Sequence, residues 1–157
     1  MGIDMSASAP PRAAESGPRR RVLVVDDNRD VADSTALLLE AMGFEVRACY
    51  DGPTALQVAE TFRPGVCFVD LNMPGMGGEE LATRLRALAA VQPLVLAAVT
   101  AMSSEEYRQR SEAAGFDLYF VKPVNPFELV QVATNHFESQ PAGAPSAACQ
   151  PPRHSRV

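Results

Sequence analysis

The stretch that decides the fold is VLVVDDN, residues 22–28, in which an apolar run leads directly into two acids. An uninterrupted apolar run of this length is typical of a strand that is buried on both faces, as in a parallel sheet. Asp26 and Asp27 would then stand at the carboxyl end of that strand, where parallel sheets place their ligand sites. Two adjacent acids repel each other unless a cation compensates them, so the pair indicates a metal site.

Other apolar runs along the chain also end on polar side chains: Asp70, Thr100 and Lys122-Pro123. Because the carboxyl ends of parallel strands share one edge of a sheet, we expect these groups to lie beside Asp26 and Asp27. Three carboxylates, a hydroxyl and an ammonium at one rim favour a hard divalent cation, Mg²⁺ or Mn²⁺, together with a phosphoryl group.

Strand and helix patterns alternate through the middle of the chain. Strands are predicted at 22–26, 45–49, 66–70, 94–99 and 117–121, and helices at 29–42, 53–62, 78–90, 104–114 and 126–138. This alternation implies right-handed crossovers and a doubly wound α/β fold with a parallel five-stranded sheet. No G-x-G-x-x-G follows the first strand, which disfavours a dinucleotide-binding Rossmann half and leaves a flavodoxin-like (βα)5 order of 2-1-3-4-5.

The two ends of the chain, residues 1–20 and 139–157, are rich in Pro, Ala and Ser and hold few large apolar side chains. Segments of this composition bury too little to offset the entropy of ordering, so we predict two disordered tails around one domain at 21–138.

Periodicity and capping signals predict which side of each helix faces the sheet. The inner faces are predicted to be Val31, Thr35, Leu38, Leu39 and Met42 in the first helix, and Phe127, Val130, Thr134 and Phe137 in the last. A capping box is predicted from Ser103 to Glu106.

The chemistry of the rim residues predicts a role for each. In the order 2-1-3-4-5 the third strand lies beside the first, so Asp70 faces the acid pair and could attack phosphorus to give an aspartyl phosphate. Asn72 could offer its backbone carbonyl to the metal. The hydroxyl of Thr100 and the ammonium of Lys122 suit phosphoryl oxygens. Pro123 makes the Lys122–Pro123 peptide a candidate for the cis form.

Tyr119 lies inside the fifth predicted strand and has two interpretations. It is either an ordinary core or edge aromatic, or a rotamer switch whose ring moves inward when Thr100 moves toward a phosphate.

Charge and composition exclude several classes of protein. The formal net charge is −5 and the single basic run is Arg19 to Arg21, so direct nucleic-acid binding is disfavoured. No run of about 18 apolar residues predicts a membrane span. The first 20 residues lack the apolar core of a signal peptide, so we expect a cytoplasmic protein.

Four motifs together resemble the receiver domain of bacterial response regulators, such as the single-domain chemotaxis regulator. They are VLVVDDN at 22–28, FVDLNMPGMGG at 68–78, AVTA at 98–101 and FVKP at 120–123. The resemblance covers about 20–138 and implies the flavodoxin-like fold. Gly77 is a departure, since many members of the family carry Asp there.

The resemblance implies a role for each matching residue. Asp70 is similar to the phosphoacceptor. Direct Mg²⁺ ligands would be Asp27, Asp70 and the carbonyl of Asn72, with Asp26 acting largely through water. Thr100 and Lys122 match the phosphoryl contacts, and Tyr119 matches the switch aromatic.

The resulting expectation is a phosphoacceptor receiver module of a two-component system or phosphorelay. A phosphohistidine on a histidine kinase or phosphotransfer protein would donate to Asp70, and phosphorylation would switch binding of an output protein at the face formed by helix 4, strand 5 and helix 5. The resemblance also allows the phosphorylated chain to form a homodimer. No output domain is recognisable after residue 138, so a stand-alone receiver is expected, and no enzyme activity beyond Mg²⁺-assisted self-phosphorylation and autodephosphorylation.

Several alternatives remain open at this point. The chain could act as a phosphate sink or be the receiver fragment of a hybrid histidine kinase. An aspartyl-nucleophile phosphatase is a rival, although Asn72 stands where such enzymes carry a second acid. A pseudo-receiver that only docks partners and a flavin carrier are opposed by the intact set of acids.

Overall fold

A computed structural model describes residues 19–88 and 93–139. Five strands form one parallel sheet in the order β2-β1-β3-β4-β5. The strands are β1 (Arg21–Val25), β2 (Glu45–Cys49), β3 (Val66–Val69), β4 (Val95–Thr100) and β5 (Leu118–Val121), and the helices are α1 (Arg29–Ala41), α2 (Gly52–Phe62), α3 (Gly78–Leu88), α4 (Glu105–Ala114) and α5 (Pro126–Glu138). The predicted flavodoxin-like topology is confirmed.

The predicted tails at 1–20 and 139–157 fall almost wholly outside the described residues. Arg21, which the sequence grouped with its neighbours in a basic run, is the first residue of β1, and its guanidinium donates to the carbonyl of Phe62 at 2.9 Å. Within the described ranges, the helices are too short or too polar to cross a bilayer.

The sheet separates two apolar cores, and β1 contributes to both. Leu23 and Val25 pack with residues of α2, α3 and α4, whereas Val22 and Val24 pack with residues of α1 and α5. All four side chains are at most 3% exposed. Because both faces of β1 are covered, the strand needs apolar side chains at every position, which explains the continuous run in the sequence.

The predicted inner face of α1 is wrong in part. The helix buries Ala32, Ala36 and Leu39, while Val31 and Met42 are 37% and 47% exposed. Two alanines face the sheet because a small side chain lets the helix approach it closely. A prediction that follows only the large apolar residues misses buried alanines of this kind.

The predicted register of α5 is also wrong in part. Leu129, Val130 and Ala133 are buried, and Phe127 is 58% exposed. The inward stripe is rotated by about one residue, which is about 100° on an α-helix and leaves Phe127 on the solvent side.

The cap of α4 lies one residue later than the sequence predicted. Ser104, not Ser103, is the N-cap, and its hydroxyl accepts a hydrogen bond from the Tyr107 amide at 3.3 Å. Only Ser103 has an acid three residues later, because Tyr107 stands at that spacing from Ser104, so the capping-box pattern indicated the wrong serine. The N-cap of α5 is Asn125, whose side chain accepts from the Phe127 amide at 3.0 Å.

Arg86 on α3 links the two segments that lead into β4 and β5. Its guanidinium donates to the carbonyl of Leu94 at 2.7 Å, to the carbonyl of Gly115 at 3.0 and 2.8 Å, and to the carboxylate of Asp117. The same carboxylate accepts from the Leu96 amide at 2.9 Å. One planar cation therefore satisfies acceptors that precede two neighbouring strands.

Replacing Arg86 should therefore lower stability more than replacing another arginine of the same helix. We expect Arg86→Met to lower the free energy of unfolding by about 2 kcal/mol, because several charge-assisted hydrogen bonds are lost and their acceptors stay partly buried. Urea unfolding followed by circular dichroism measures this change. The matched control is Arg84→Met, which removes an exposed ion pair with Glu80 and should cost less than about 0.5 kcal/mol. Equal losses in the two variants would contradict the prediction.

Candidate functional site

Three aspartates meet where β1 and β3 end. The two strands are neighbours, with Val25 opposite Val69, and the Asp70 amide donates to the Val25 carbonyl at 2.9 Å. This pairing places Asp26 and Asp70 side by side. Asp26, Asp27 and Asp70 each offer one carboxylate oxygen, and these oxygens all lie within 4.8 Å of one another.

The acidic cluster is open to solvent on one side only. Asp26 and Asp70 are 4% and 7% exposed, whereas Asp27 is exposed. Anionic oxygens that are both crowded and poorly hydrated are the usual ligands of a hard cation. The residues present therefore fit Mg²⁺ in number, charge and ligand chemistry.

Lys122 is the one cation in contact with these acids among the described residues. Its Nζ lies 2.9 Å from Oδ2 of Asp26 and 3.5 Å from Oδ2 of Asp70. The strand geometry sets this position, because the Lys122 amide donates to the carbonyl of Thr100 at 2.8 Å as β5 ends beside β4. The Lys122–Pro123 peptide bond is cis.

The contacts of Lys122 keep its side chain protonated. Burial by itself lowers the pKa of the ammonium, but the hydrogen bond to Asp26 and the charge of Asp70 outweigh burial and raise it above its ordinary value. The site therefore holds one fixed positive charge against three carboxylates.

Asp70 is the carboxylate that folding disfavours in its ionised form. Burial raises the pKa of Asp70, and so do the charges of Asp26 and Asp27, while a hydrogen bond from the Asn72 amide and the charge of Lys122 lower it. The net direction of the pKa is upward, with burial as the largest cause, and the charge of Lys122 does not offset it. A divalent cation would supply the missing positive charge.

Asn72 lies on the loop that follows Asp70. Its amide donates to Oδ1 of Asp70 at 3.1 Å, and its side chain is exposed. The loop thereby holds one carboxylate oxygen in a fixed orientation. The role of the Asn72 carbonyl as a metal ligand stays a prediction.

Thr100 and Tyr119 are connected through Met102, two residues after Thr100. Thr100 is fully buried at the end of β4, and its hydroxyl accepts from the Met102 amide at 3.2 Å. The hydroxyl of Tyr119 donates to the Met102 carbonyl at 2.6 Å. Both side chains therefore bind the backbone of the loop between β4 and α4.

The ring of Tyr119 is held between the core and α4. It packs against the apolar cluster on the α2–α3–α4 side of the sheet, and the Arg108 guanidinium lies 4.9 Å from its centroid. Burial raises the pKa of Tyr119, so the phenol stays protonated and able to donate. The contact between Arg108 and Tyr119 could not be predicted from the sequence, because no local sequence pattern connects the two residues. The proposed switching of Tyr119 stays a prediction.

Comparison with known families agrees with this geometry. The profile of the response regulator receiver domain matches residues 22–134. The chain belongs to this family. Receiver domains are signalling modules rather than classical enzymes, and they bind Mg²⁺ through an acidic pocket of the kind formed here by Asp26, Asp27 and Asp70.

Individual relatives cover the receiver domain to different extents. The transcriptional regulatory protein PrrA of Mycobacterium tuberculosis is 42% identical over 110 residues, which are 70% of this chain and 46% of PrrA. The CheY-like receiver domain protein of Methanospirillum hungatei is 30% identical with a TM-score of 0.71, and the match covers 78% of this chain and 96% of that one. The chain thus spans about half the length of PrrA.

A third relative has a modified aspartate. The crystal structure of a response regulator protein from Burkholderia pseudomallei contains a phosphorylated aspartic acid, a calcium ion and citrate. It is 30% identical to this chain with a TM-score of 0.66, and the match covers 76% of this chain and 70% of that one.

The raised pKa of Asp70 predicts an order of stabilities that depends on the metal. In EDTA at pH 7, Asp70→Asn should unfold at a higher urea concentration than the wild type, because it removes a carboxylate that folding disfavours. The difference in stability between Asp70→Asn and the wild type should become smaller as the pH falls through the raised pKa of Asp70, because the wild type then folds with a neutral carboxyl group. Asp30→Asn, which changes an exposed acid on α1, should not show this gain.

Addition of Mg²⁺ should reverse that order. An ion that binds only the folded state stabilises it by about 2.7 kcal/mol at 100 times its Kd, and the variant lacks one of the three carboxylates. Lower stability of Asp70→Asn in EDTA, or equal stabilisation of both proteins by Mg²⁺, would contradict this interpretation.

Proposed function

We propose that this receiver domain accepts a phosphoryl group on Asp70 from a phosphohistidine, in a reaction that requires Mg²⁺. The donor would be a histidine kinase or a histidine phosphotransfer protein. The observation that carries the proposal is the meeting of three carboxylates within 4.8 Å, with Lys122 touching two of them. The phosphorylated aspartic acid of the Burkholderia pseudomallei relative supports the same chemistry.

In the proposed transfer, a carboxylate oxygen of Asp70 forms a bond to phosphorus as the bond from phosphorus to the histidine nitrogen breaks. The leaving imidazole keeps the electron pair and can be protonated by solvent. Such transfers depend mainly on positioning and on stabilisation of negative charge. Lys122 is placed to contact a phosphoryl oxygen, since its ammonium already lies 3.5 Å from Asp70.

The metal would be held by Asp27, Asp70 and the backbone carbonyl of Asn72, with Asp26 acting largely through water. Bound Mg²⁺ supplies positive charge beside the phosphoryl oxygens and relieves the repulsion among the acids. The exposure of Asp27 leaves the side from which a donor protein would approach open to solvent.

We further propose that phosphorylation changes partner binding through the loop between β4 and α4. The hydroxyl of Thr100 would turn toward the new phosphoryl group, which weakens its hydrogen bond from the Met102 amide. Because Met102 also accepts from Tyr119, a change at Thr100 would reach Tyr119 on β5 through one shared residue. Phosphorylation would thereby bias an equilibrium between two arrangements of this loop.

The extent of the module and its setting belong to the same proposal. We infer that residues 21–138 form the receiver domain, and the cytoplasmic location stays a prediction. The output protein would bind α4, β5 and α5. A phosphate sink or a segment of a hybrid kinase would use the same chemistry on Asp70, with a different recipient of the phosphoryl group.

The acceptor role predicts labelling that depends on a single side chain. Incubation with acetyl phosphate and Mg²⁺ should add one phosphoryl group to the wild-type chain, measured as a mass increase of the intact protein. Asp70→Asn should lose the label because an amide oxygen is a poor nucleophile. Lys122→Met should be labelled at least about 100-fold more slowly, since charge stabilisation by one donor is worth that much.

The matched control for labelling is Asp30→Asn, which should behave as the wild type. Stoichiometric labelling of Asp70→Asn would refute the assignment of the acceptor. Sustained multiple-turnover hydrolysis of phosphomonoesters by the wild type would instead favour the phosphatase alternative.

A further inference from the structure

The loop that joins β3 to α3 carries both Asp70 and Asn72, so its position sets part of the metal site. Leu71 and Met73 on this loop are buried at 9% and 7% exposure, and the Gly78 amide donates to the Leu71 carbonyl at 3.0 Å. Gly75 turns the exposed tip with a φ of +77°. These contacts hold the loop from within and from the start of α3.

One further contact ties this loop to a different element. Met76 is partly buried against the apolar cluster and lies directly over Gly52, the first residue of α2. A Cβ atom at Gly52 would stand 2.6 Å from Sδ of Met76 and 2.9 Å from both its Cβ and its Cγ. Since real Cβ atoms do not approach so closely, Met76 occupies the space that any other residue at 52 would fill.

The contact involves the base of the Met76 side chain and not only its flexible end. A rotation about the side-chain bonds moves Sδ and Cγ away, but the Cβ atom moves only with the backbone of the loop. A methyl group at residue 52 would therefore displace the loop itself. Gly52 has no positive φ, so its backbone accepts alanine without strain.

We propose that Gly52 and Met76 are positioning residues for the metal and phosphoryl site. Because Gly52 has no side chain, Met76 can pack against the start of α2. Met76 thereby holds the loop so that the Asn72 amide and carbonyl keep their positions beside Asp70. This inference rests on the proposed function, because it concerns the same Mg²⁺ site. It adds that the Mg²⁺ site requires a glycine at residue 52, which lies 18 positions before Asp70 in the chain.

The test compares two alanine substitutions of glycine. Gly52→Ala should raise the Kd for Mg²⁺ by about ten-fold, the low end of the range for groups that orient metal ligands from outside. Gly77→Ala lies in the loop itself, but its Cβ would meet only the Leu71 carbonyl oxygen at 3.5 Å, an ordinary contact. Its Kd should stay within about two-fold of the wild type. Isothermal titration with MgCl₂ on the full chain measures both.

Two further measurements separate positioning from general damage to the fold. In EDTA, Gly52→Ala should unfold at a urea concentration close to that of the wild type, while the protection factor of the Gly78 amide falls because the loop has moved. Met76→Ala keeps Gly52 but leaves the space over it unfilled, so this variant should also bind Mg²⁺ about ten-fold more weakly than the wild type, because the loop loses its anchor.

The possible failures can be told apart. Absence of Mg²⁺ binding by the wild type would overturn the proposed function, whereas the amide exchange in EDTA would still report on the loop. Equal Mg²⁺ affinity of the wild type and Gly52→Ala, or of the wild type and Met76→Ala, would overturn the positioning role alone.

Discussion

Three carboxylates gathered against one ammonium are the constraint on which this receiver domain depends. The arrangement follows from the pairing of β1 with β3, because Asp26 and Asp70 directly follow neighbouring strands. Lys122 contacts both of these acids from the end of β5, yet the pKa of Asp70 remains raised. Three carboxylates thus face one ammonium at the rim, and this excess of negative charge fits the binding of a dication.

The rest of the fold holds the rim in place. A central strand with both faces covered cannot slide or tilt without disturbing two apolar cores, so the ends of β1 and β3 are rigid. The loops that leave those ends lack the ladder of hydrogen bonds that holds a strand and depend on a few specific contacts. The Asn72 amide orients Asp70, and Met76 over Gly52 seats the loop that carries both. Rigid strands and individually anchored loops together determine the geometry of the site.

The sequence predicted the strands well because a doubly covered strand must be apolar at each position and must end where polar groups begin. Asp70 and Lys122 could therefore be placed at one rim without coordinates. The orientation of the helices was harder to predict, since Ala32 can face the sheet while Phe127 faces solvent. The contact between Gly52 and Met76 could not be predicted, because close approach of two distant segments has no periodic signature.

Arg86 anchors the amino-terminal ends of β4 and β5. It binds the segments that lead into β4 and β5, at the edge of the sheet opposite Thr100. At the carboxyl end of β4, the loop that follows Thr100 is held separately, through the hydrogen bonds of Met102 to Thr100 and Tyr119. The contacts of Arg86 and those of Met102 thus lie at opposite edges of the sheet and share no residue, so a rearrangement of the loop after Thr100 would leave the amino-terminal ends of β4 and β5 anchored.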